Sequence, residues 1–248
     1  MGRHIKNKKD FYENKYSKGD EIRRTSKIYT LQCVPKIGKL NVLDVGCGSG
    51  INSKYISDLG HDVTGVDISY QAITKYRKRG FKGEVADIES GLDFEDNSFD
   101  MAFCSEVMEH LINPEYLTQE LFRVIRKGGK LVISVPNSAF WIYRIGAMFG
   151  YTVTELQHKM HLRFFTIRSM VKILRNTGFV ISEICGRNIY LIISGVKKRW
   201  LFNMLKIIGF KEEIRFRTNS SFLHLSNRSK FMNNIFADTL IINATKPK

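Results

Sequence analysis

The feature that most constrains the fold is a glycine-rich turn that follows a buried apolar strand. Residues 40–45 have the sequence Leu-Asn-Val-Leu-Asp-Val and run directly into Gly46-Cys47-Gly48-Ser49-Gly50. Glycine lets a backbone approach a ligand where a Cβ atom would clash. The N–H groups of the turn and the N-terminus of the next helix then face polar or anionic ligand groups. The pattern predicts a ligand-binding turn in an α/β fold, with a plain strand connection as the alternative.

The rest of the chain alternates short β-rich runs with helical patterns, which is typical of a doubly wound α/β sheet. Helices are predicted from Ser53 to Leu59, from the N-cap Ser69 to about Lys78, and from the N-cap Thr166 to Gly178; a further helix covers about 114–126, and Gly128-Gly129 stops it. Strands are predicted over 40–45, 62–67, 84–87, 100–104, 130–135, 179–184 and 238–244. We therefore predict a mostly parallel seven-stranded sheet with a variable C-terminal insert or lid.

Acidic residues stand at the ends of the first three predicted strands. Asp44 is at the end of the first strand, Asp67 ends the second and Asp87 the third. Each aspartate alone is explained as a helix cap or a turn former. Together they mark the edge at which doubly wound sheets bind ligands, where Asp67 can accept ribose hydroxyls and Asp87 an adenine amino group. A turn that binds a nicotinamide dinucleotide would have its third glycine at position 51. Because Ile51 occupies that position, the sequence disfavours a nicotinamide dinucleotide site.

Composition and charge exclude several classes of protein. The chain is 43% apolar and has no apolar run near the ~20 residues that span a bilayer. Its four cysteines form no C-x-x-C pair, which excludes a zinc ribbon and disfavours a disulfide framework. The basic start of the chain is not followed by an apolar segment, so we expect no secretory signal and a cytoplasmic protein.

The net charge of +15 is unevenly distributed. Residues 1–40 carry 11 Lys and Arg against 4 Asp and Glu, residues 41–140 carry 10 against 15, and residues 141–248 carry 18 against 5. Basic flanks attract phosphates, nucleic acid or an anionic membrane surface. The plain alternative is a lysine-rich protein whose charges only face solvent.

Several motifs in this order and spacing resemble those of class I S-adenosylmethionine-dependent methyltransferases over roughly residues 38–185. They are the turn 43–50, Gly65-Val66-Asp67-Ile68-Ser69, Ala86-Asp87-Ile88, the run 99–111 and Arg126-Lys127-Gly128-Gly129. The resemblance implies a Rossmann-like methyltransferase fold with S-adenosylmethionine as cofactor. It also implies cofactor contacts from the turn (Asp44, Gly46, Cys47, Gly48, Gly50), to the ribose from Asp67 with Ile68, to the adenine from Asp87 and Ile88, and on the methionine side from Cys104.

The segment Glu106-x-x-Glu109-His110 narrows the resemblance. Together with residues 161–166 it is similar to the subgroup of ubiquinone-biosynthesis O-methyltransferases and other small-molecule or glycan-cluster methyltransferases. A few relatives, among them small-RNA 2′-O-methyltransferases, bind Mg²⁺ with such a set and a later histidine. Because the set also occurs in members without a metal, we expect none here, with Glu106 and Glu109 capping and orienting a helix.

Two histidines are the candidate catalytic residues. Methyl transfer from a sulfonium depends mainly on holding the acceptor atom in line with the methyl group. A hydroxyl acceptor must also lose a proton, which suits histidine with its ordinary pKa of about 6.5. We predict His161 and His110 for this role; taken singly, each is also explained as a structural residue.

The sequence predicts three regions: a basic helical N-terminal cover over 1–39, a cofactor-binding core over 40–137, and an acceptor-binding lid with the last strands over 138–248. The aromatic stretch 138–151 is interpreted as a lid or as a core helix. The stretch 190–210, apolar with interleaved Lys and Arg, could lie on a membrane surface or cover the sheet edge.

Three functions are compatible with these patterns. The favoured one is O-methylation of a small or lipid-linked acceptor such as a phenol, a quinol precursor or a sugar, with peripheral membrane contact as an accompanying hypothesis. The second is RNA methylation, which the basic flanks favour, although no RRM, KH or zinc-knuckle motif is present. The third is a non-catalytic module that binds S-adenosylmethionine or a nucleoside.

Overall fold

The computed structural model describes residues 2–17, 30–158, 160–189 and 237–248. Seven helices of the described residues are numbered here in chain order: α1 (Gly2–Ser17), α2 (Ile51–Asp58), α3 (Tyr70–Lys78), α4 (Pro114–Val124), α5 (Trp141–Met148), α6 (Val153–Leu156) and α7 (Ile167–Thr177). The strands are β1 (Asn41–Val45), β2 (Asp62–Asp67), β3 (Lys82–Val85), β4 (Phe99–Ser105), β5 (Ile125–Pro136), β6 (Val180–Ile189) and β7 (Ala237–Thr245).

These strands form one seven-stranded sheet in the order β3-β2-β1-β4-β5-β7-β6. The pairs among β1 to β5 are parallel, whereas β7 runs antiparallel to both β5 and β6. Val45 lies beside Val66 on one side and Cys104 on the other, so the carboxyl ends of β1, β2 and β4 are level. The predicted doubly wound, mostly parallel seven-stranded sheet is confirmed.

Both faces of the sheet are covered, and the alternation of side chains along each strand explains how. Val42 packs in one apolar cluster with Leu31 and Ile56, while its neighbour Leu43 packs in a second cluster with Leu117 of α4. The second cluster also contains the buried face of α7. Parallel strands covered on two sides are apolar along most of their length, as 42–45 is.

Most predicted elements lie where the sequence indicates, and their caps form as expected. The Ser69 side chain accepts a hydrogen bond from the backbone of Ala72 at the start of α3. The Thr166 side chain caps α7 in the same way, and Gly178 ends that helix in the left-handed region at φ 108°. The predicted stop of α4 at Gly128-Gly129 comes too late, because the helix ends at Val124 and β5 begins at the next residue.

Two further segments differ from the predictions or lie outside the described residues. The third strand was predicted over 84–87, but β3 covers Lys82–Val85, so Asp87 follows the strand by two residues instead of ending it. The stretch 190–210 is outside the described residues. Among the described helices, none is both long enough and apolar enough to cross a bilayer.

Candidate active site

The glycine-rich turn after β1 is packed too tightly for side chains. Gly46 has φ 67°, and a Cβ atom there would lie 2.5 Å from Cγ2 of Val107. Gly48 has φ 55°, and its Cβ would overlap the hydroxyl group of Tyr16. Both positions combine a left-handed backbone with a close neighbour, so only glycine fits.

Asp67, at the end of β2, holds this turn in place through hydrogen bonds to its backbone. Its Oδ2 accepts a hydrogen bond from the Gly48 N–H at 2.9 Å, and its Oδ1 accepts one from the Ser69 N–H at 2.9 Å. The side chain is buried, yet it lines a cavity at the carboxyl edge of the sheet. Since a carboxylate oxygen accepts more than one hydrogen bond, Asp67 can still receive ligand hydroxyls.

The loop after β3 forms the next wall of the cavity. Asp87 and Ile88 line it, and the Asp87 carboxylate accepts a hydrogen bond from the Glu89 N–H. Glu89 forms an ion pair of 3.0 Å with Lys8, and both of these side chains are about 90% buried. Glu89 also accepts backbone hydrogen bonds from Ile112. The Glu89 carboxylate, which lies in the loop after β3, therefore connects that loop to α1 and to the loop before α4.

Helix α1 covers the cavity with one of its faces. Five residues at helical spacing line the space below: Lys8, Phe11, Tyr12, Lys15 and Tyr16. None of residues 138–151, the stretch interpreted as a lid, is among those that line it. The cover of the described cavity is thus built largely from the N-terminal helix.

Three imidazoles and one carboxylate meet at the end of the cavity. His110 and His161 have ring centroids 4.9 Å apart, and His158 lies 5.6 Å from His161. Oε1 of Glu109 is 3.8 Å from Nε2 of His110 and 4.0 Å from Nε2 of His161. One ligand atom each from Glu109, His110 and His161 lies within 4.8 Å of the other two. This group can therefore accept or donate a proton, or bind a cation.

The protonation state of His110 follows from its surroundings. Its Nδ1 lies 3.0 Å from the carbonyl oxygen of Met160, which only accepts, so Nδ1 carries the proton. Burial lowers the pKa of His110 to about 3, and the nearby His161 and Lys8 disfavour the charged form further. His110 is therefore neutral near pH 7, and its low pKa makes it a weak base, which suits a positioning role better than proton transfer.

Glu106 lines the same cavity in an unusual backbone conformation. It has φ 58°, which is rare for a residue with a side chain. Its N–H donates to the Ser134 carbonyl at 3.0 Å, which holds the turn after β4 in place. Such conformations concentrate at functional sites because the surrounding structure must compensate for their strain.

Comparison with known proteins identifies the core. A family model described as a methyltransferase domain matches residues 43–133. These residues are a class I S-adenosylmethionine-dependent methyltransferase domain. Among curated proteins, the chain is 29% identical over 154 residues to the ubiquinone biosynthesis O-methyltransferase of Cupriavidus pinatubonensis, with 58% of this chain and 62% of the relative covered. It is 30% identical over 128 residues to the 18S rRNA (guanine-N(7))-methyltransferase of Bos taurus, covering 46% of each.

These matches span less than two thirds of the length of those relatives. Among solved structures, a SAM-dependent methyltransferase from Archaeoglobus fulgidus superposes with a TM-score of 0.63 at 18% identity, covering 93% of this chain and 99% of that one. A chain of the Haloferax volcanii complex of the Trm112 methyltransferase activator with a methyltransferase gives 0.65 at 18% identity, covering 96% and 98%. At this identity the superpositions establish the fold of the methyltransferase domain.

The cofactor of this methyltransferase domain is S-adenosylmethionine, and the cavity walls fit it. Asp67 offers a buried carboxylate for ribose hydroxyls beside a turn that excludes side chains. Ile68 and Ile88 line the cavity with apolar groups that would pack against a base, and Asp87 offers a polar group beside them. The cavity therefore offers the mixture of polar and apolar groups that a nucleoside needs.

The structure brings together some of the predicted site residues and places others behind them. Those that line the cavity are Gly46, Asp67, Ile68, Asp87, Ile88, His110 and His161. Asp44 is buried under the turn, where it accepts a hydrogen bond from Ser53, and Cys104 is buried in the core. Three turn residues do not line the cavity. Cys47 and Gly50 pack against Tyr76, and Gly48 packs against Tyr16.

The sequence predicted a helical cover over 1–39 but no site residue within it, and it also gave no indication of the ion pair of Lys8 with Glu89 or of His158 in the site. No local motif marks them, because each depends on a contact between distant parts of the chain. The helical spacing of Lys8, Phe11, Tyr12 and Lys15 was a usable signal for a helix with one specialised face.

Proposed function

We propose that the protein transfers a methyl group from S-adenosylmethionine to an oxygen atom of a small or lipid-linked acceptor, such as a phenol, a quinol precursor or a sugar. The observation that carries this proposal is the continuity of one cavity. It has Asp67 on one wall and the imidazoles of His110 and His161 on another. A cofactor ribose at Asp67 and an acceptor hydroxyl at the imidazoles would share that space.

The bound cofactor supplies an activated methyl group, and the chain supplies position and proton transfer. Nδ1 of His161 lies 3.0 Å from Oε1 of Gln157, so Nδ1 donates and Nε2 is left to accept the hydroxyl proton. The buried Glu109 carboxylate, 4.0 Å from that Nε2, stabilises the imidazolium that forms. Neutral His110 positions the acceptor from the other side of Glu109.

The test is a methyl-transfer assay with a catechol such as 3,4-dihydroxybenzoate, in which S-adenosylhomocysteine and the methylated product are both measured. His161→Ala should lower turnover by about 10²–10⁴-fold, as expected for loss of a general base. Its affinity for S-adenosylhomocysteine, measured by calorimetry, should stay within about twofold. His158→Ala is the matched control, because His158 lines the same cavity but is not one of the three residues, Glu109, His110 and His161, whose ligand atoms lie close together.

Full turnover in His161→Ala would contradict the role of His161. The same assays after dialysis against EDTA distinguish proton transfer from metal binding. Activity that EDTA abolishes and Mg²⁺ or Zn²⁺ restores would show that Glu109, His110 and His161 hold a cation. Cofactor binding without methylated product from any acceptor would favour a non-catalytic module.

RNA methylation is the second candidate, favoured by the similarity to an rRNA methyltransferase and by the basic flanks. Retention of RNA on the protein should then fall steeply between 50 and 200 mM salt, since each neutralised phosphate releases counterions. Transfer of labelled methyl to ribosomal RNA, with and without a Trm112 protein, is the deciding measurement. A lipid-linked acceptor instead predicts co-sedimentation with anionic vesicles.

A further inference from the structure

The segment before β1 packs on one face of the sheet and brings a cysteine to it. Leu31 and Val34 are buried against Val42 of β1 and Val132 of β5, and Cys33 packs against the same cluster. This is the face opposite to the one covered by α4 and α7, whose cluster contains Leu131. Cys33 is partly exposed at this position.

The strand register places a second cysteine on that face. Val132 pairs with Asn243 of β7, and Asn243 pairs with Glu183 of β6, so these three side chains point the same way. Cys185 lies two residues after Glu183 and therefore shares that face. Its neighbour Ile184 points to the other face, where it joins the cluster of α4 and α7.

The two thiols are in contact. The Cys33 side chain is hydrogen-bonded to the Cys185 side chain and to Asn243. Both thiols are partly exposed, whereas the remaining two cysteines, Cys47 and Cys104, are buried elsewhere. A pair of accessible thiols in contact, drawn from distant parts of the chain, has no part in the proposed methyl transfer.

We propose that Cys33 and Cys185 are a reversible redox site that closes into a disulfide when the protein meets hydrogen peroxide. The Cys33 thiolate attacks one peroxide oxygen, which breaks the O–O bond and leaves a sulfenic acid and hydroxide. The Cys185 sulfur then attacks the sulfenic sulfur, and water leaves with the Cys185 proton and the sulfenic oxygen. Overall, two thiols lose two electrons and peroxide becomes two waters.

The local chemistry assigns the order of attack. The hydrogen bond from Cys185 lowers the pKa of Cys33 to about 7, while the same hydrogen bond and burial raise the pKa of Cys185 well above its ordinary value. Cys33 therefore has more thiolate at neutral pH than an ordinary cysteine, and it is the thiolate that reacts with peroxide. Cys185 is the resolving partner.

The closed disulfide would tie the segment that leads into β1 to the edge strand β6. Disulfides in reducing compartments are mostly transient and regulatory, which fits two thiols that are accessible and unlinked in the folded chain. The bond would also restrict the unfolded chain over a long loop, so the oxidised protein should melt several degrees higher than the reduced one.

The test is treatment of the reduced, folded protein with a slight excess of hydrogen peroxide, followed by unfolding, alkylation and peptide mass analysis without reductant. We expect one cross-linked peptide pair containing Cys33 and Cys185, two alkylated cysteines (Cys47 and Cys104), and full reversal by dithiothreitol. Cys185→Ser should accumulate a Cys33 sulfenic acid that dimedone traps. Cys33→Ser should consume peroxide at least tenfold more slowly. Four alkylated thiols, a different pairing or a dimer linked between two chains would overturn the proposal.

Discussion

Asp67 organises the glycine-rich turn and also lines the cavity at the carboxyl edge of the sheet. Its two oxygens each hold a backbone N–H, from Gly48 and from Ser69. The carboxylate is therefore oriented before any cofactor arrives, which lowers the entropy cost of binding.

Asp67→Asn tests this arrangement at the scale of one residue. The amide keeps the shape of the side chain but replaces one acceptor oxygen with a donor, so hydrogen bonds to a ribose are left unmade. We expect the affinity for S-adenosylhomocysteine, measured by calorimetry, to fall by about 1–3 kcal/mol. Asp58→Asn, at an exposed ion pair on α2, is the control and should bind normally. Equal affinity in the two variants would show that the ribose lies elsewhere.

His110 predicts an acid-sensitive step in stability. Burial holds its pKa at about 3 in the folded chain, below the ordinary 6.5 of the unfolded chain. The unfolded state therefore binds a proton first, and stability is complete above pH 6.5 and decreases as the pH falls toward 3. The slope is about 1.4 kcal/mol per pH unit for this group. The groups that face it are Glu109, His158, His161, Lys8 and Tyr12.

The measurement is urea unfolding of wild type and His110→Asn at pH 7 and pH 5. Asparagine can still donate to the Met160 carbonyl but does not titrate. The free energy of unfolding of wild type should fall by about 2 kcal/mol more than that of the variant. If the two proteins lose the same stability, His110 is not protonated on unfolding in this range.

Among the elements, α1 covers the site and is attached to α3 through Glu13. The Glu13 carboxylate accepts hydrogen bonds from the Ser69 hydroxyl and from the N–H groups of Tyr70 and Gln71, so α1 caps the N-terminus of α3. Five residues of α1 line the cavity and cover it. Cofactor exchange should therefore require α1 to move.

Glu13→Gln weakens that attachment without touching the cavity walls. Its loss of charge at a helix N-terminus should release α1 more often. We expect bound S-adenosylhomocysteine to dissociate about tenfold faster in stopped-flow chase experiments, with little change in melting temperature. Asp10→Asn removes an exposed carboxylate from the same helix and should dissociate at the wild-type rate. Unchanged dissociation in Glu13→Gln would mean that the cofactor leaves by another path.

The elements also show how far a sequence can be interpreted. Caps such as Ser69, Thr166 and Gly178 were predictable because the controlling contacts are local. The end of α4 was predicted too late, since Ile125 pairs with Phe99 in the sheet and this pairing overrides the local helical pattern. In the site, the strand-end position of Asp67 was predictable, whereas Asp87 lies two residues beyond the end of β3. The link between Lys8 and Glu89 was not predictable, because 81 residues separate them.

At the scale of the whole molecule, Lys246, which follows β7, connects the end of that strand to the end of α4 and the start of β5. Its ammonium group donates to the carbonyl oxygens of Phe122 and Ile125 at 2.7 Å and to Asn97 at 2.9 Å. Lys246 is 9% exposed. Lys246→Met should lower the free energy of unfolding by about 2–3 kcal/mol, because buried carbonyls lose a charged donor.

Urea unfolding of Lys246→Met beside Lys248→Met is the measurement. Lys248 is exposed, so its replacement should change stability by less than about 0.5 kcal/mol. Equal unfolding midpoints for the two variants would show that the Lys246 contacts do not hold the end of β7.

The position of β7 between β5 and β6 has a consequence for synthesis of the chain. In the described sheet, β7 lies between β5 and β6 and joins them, although it comes much later in the sequence than either. While the ribosome is still making residues 190–236, β6 and the edge of β5 that later pairs with β7 lack the strand that joins them in the described sheet. Until β7 emerges, the unpaired edges of β5 and β6 in a nascent chain must be kept from pairing with strands of other chains. A chaperone that covers exposed strands would act in that interval.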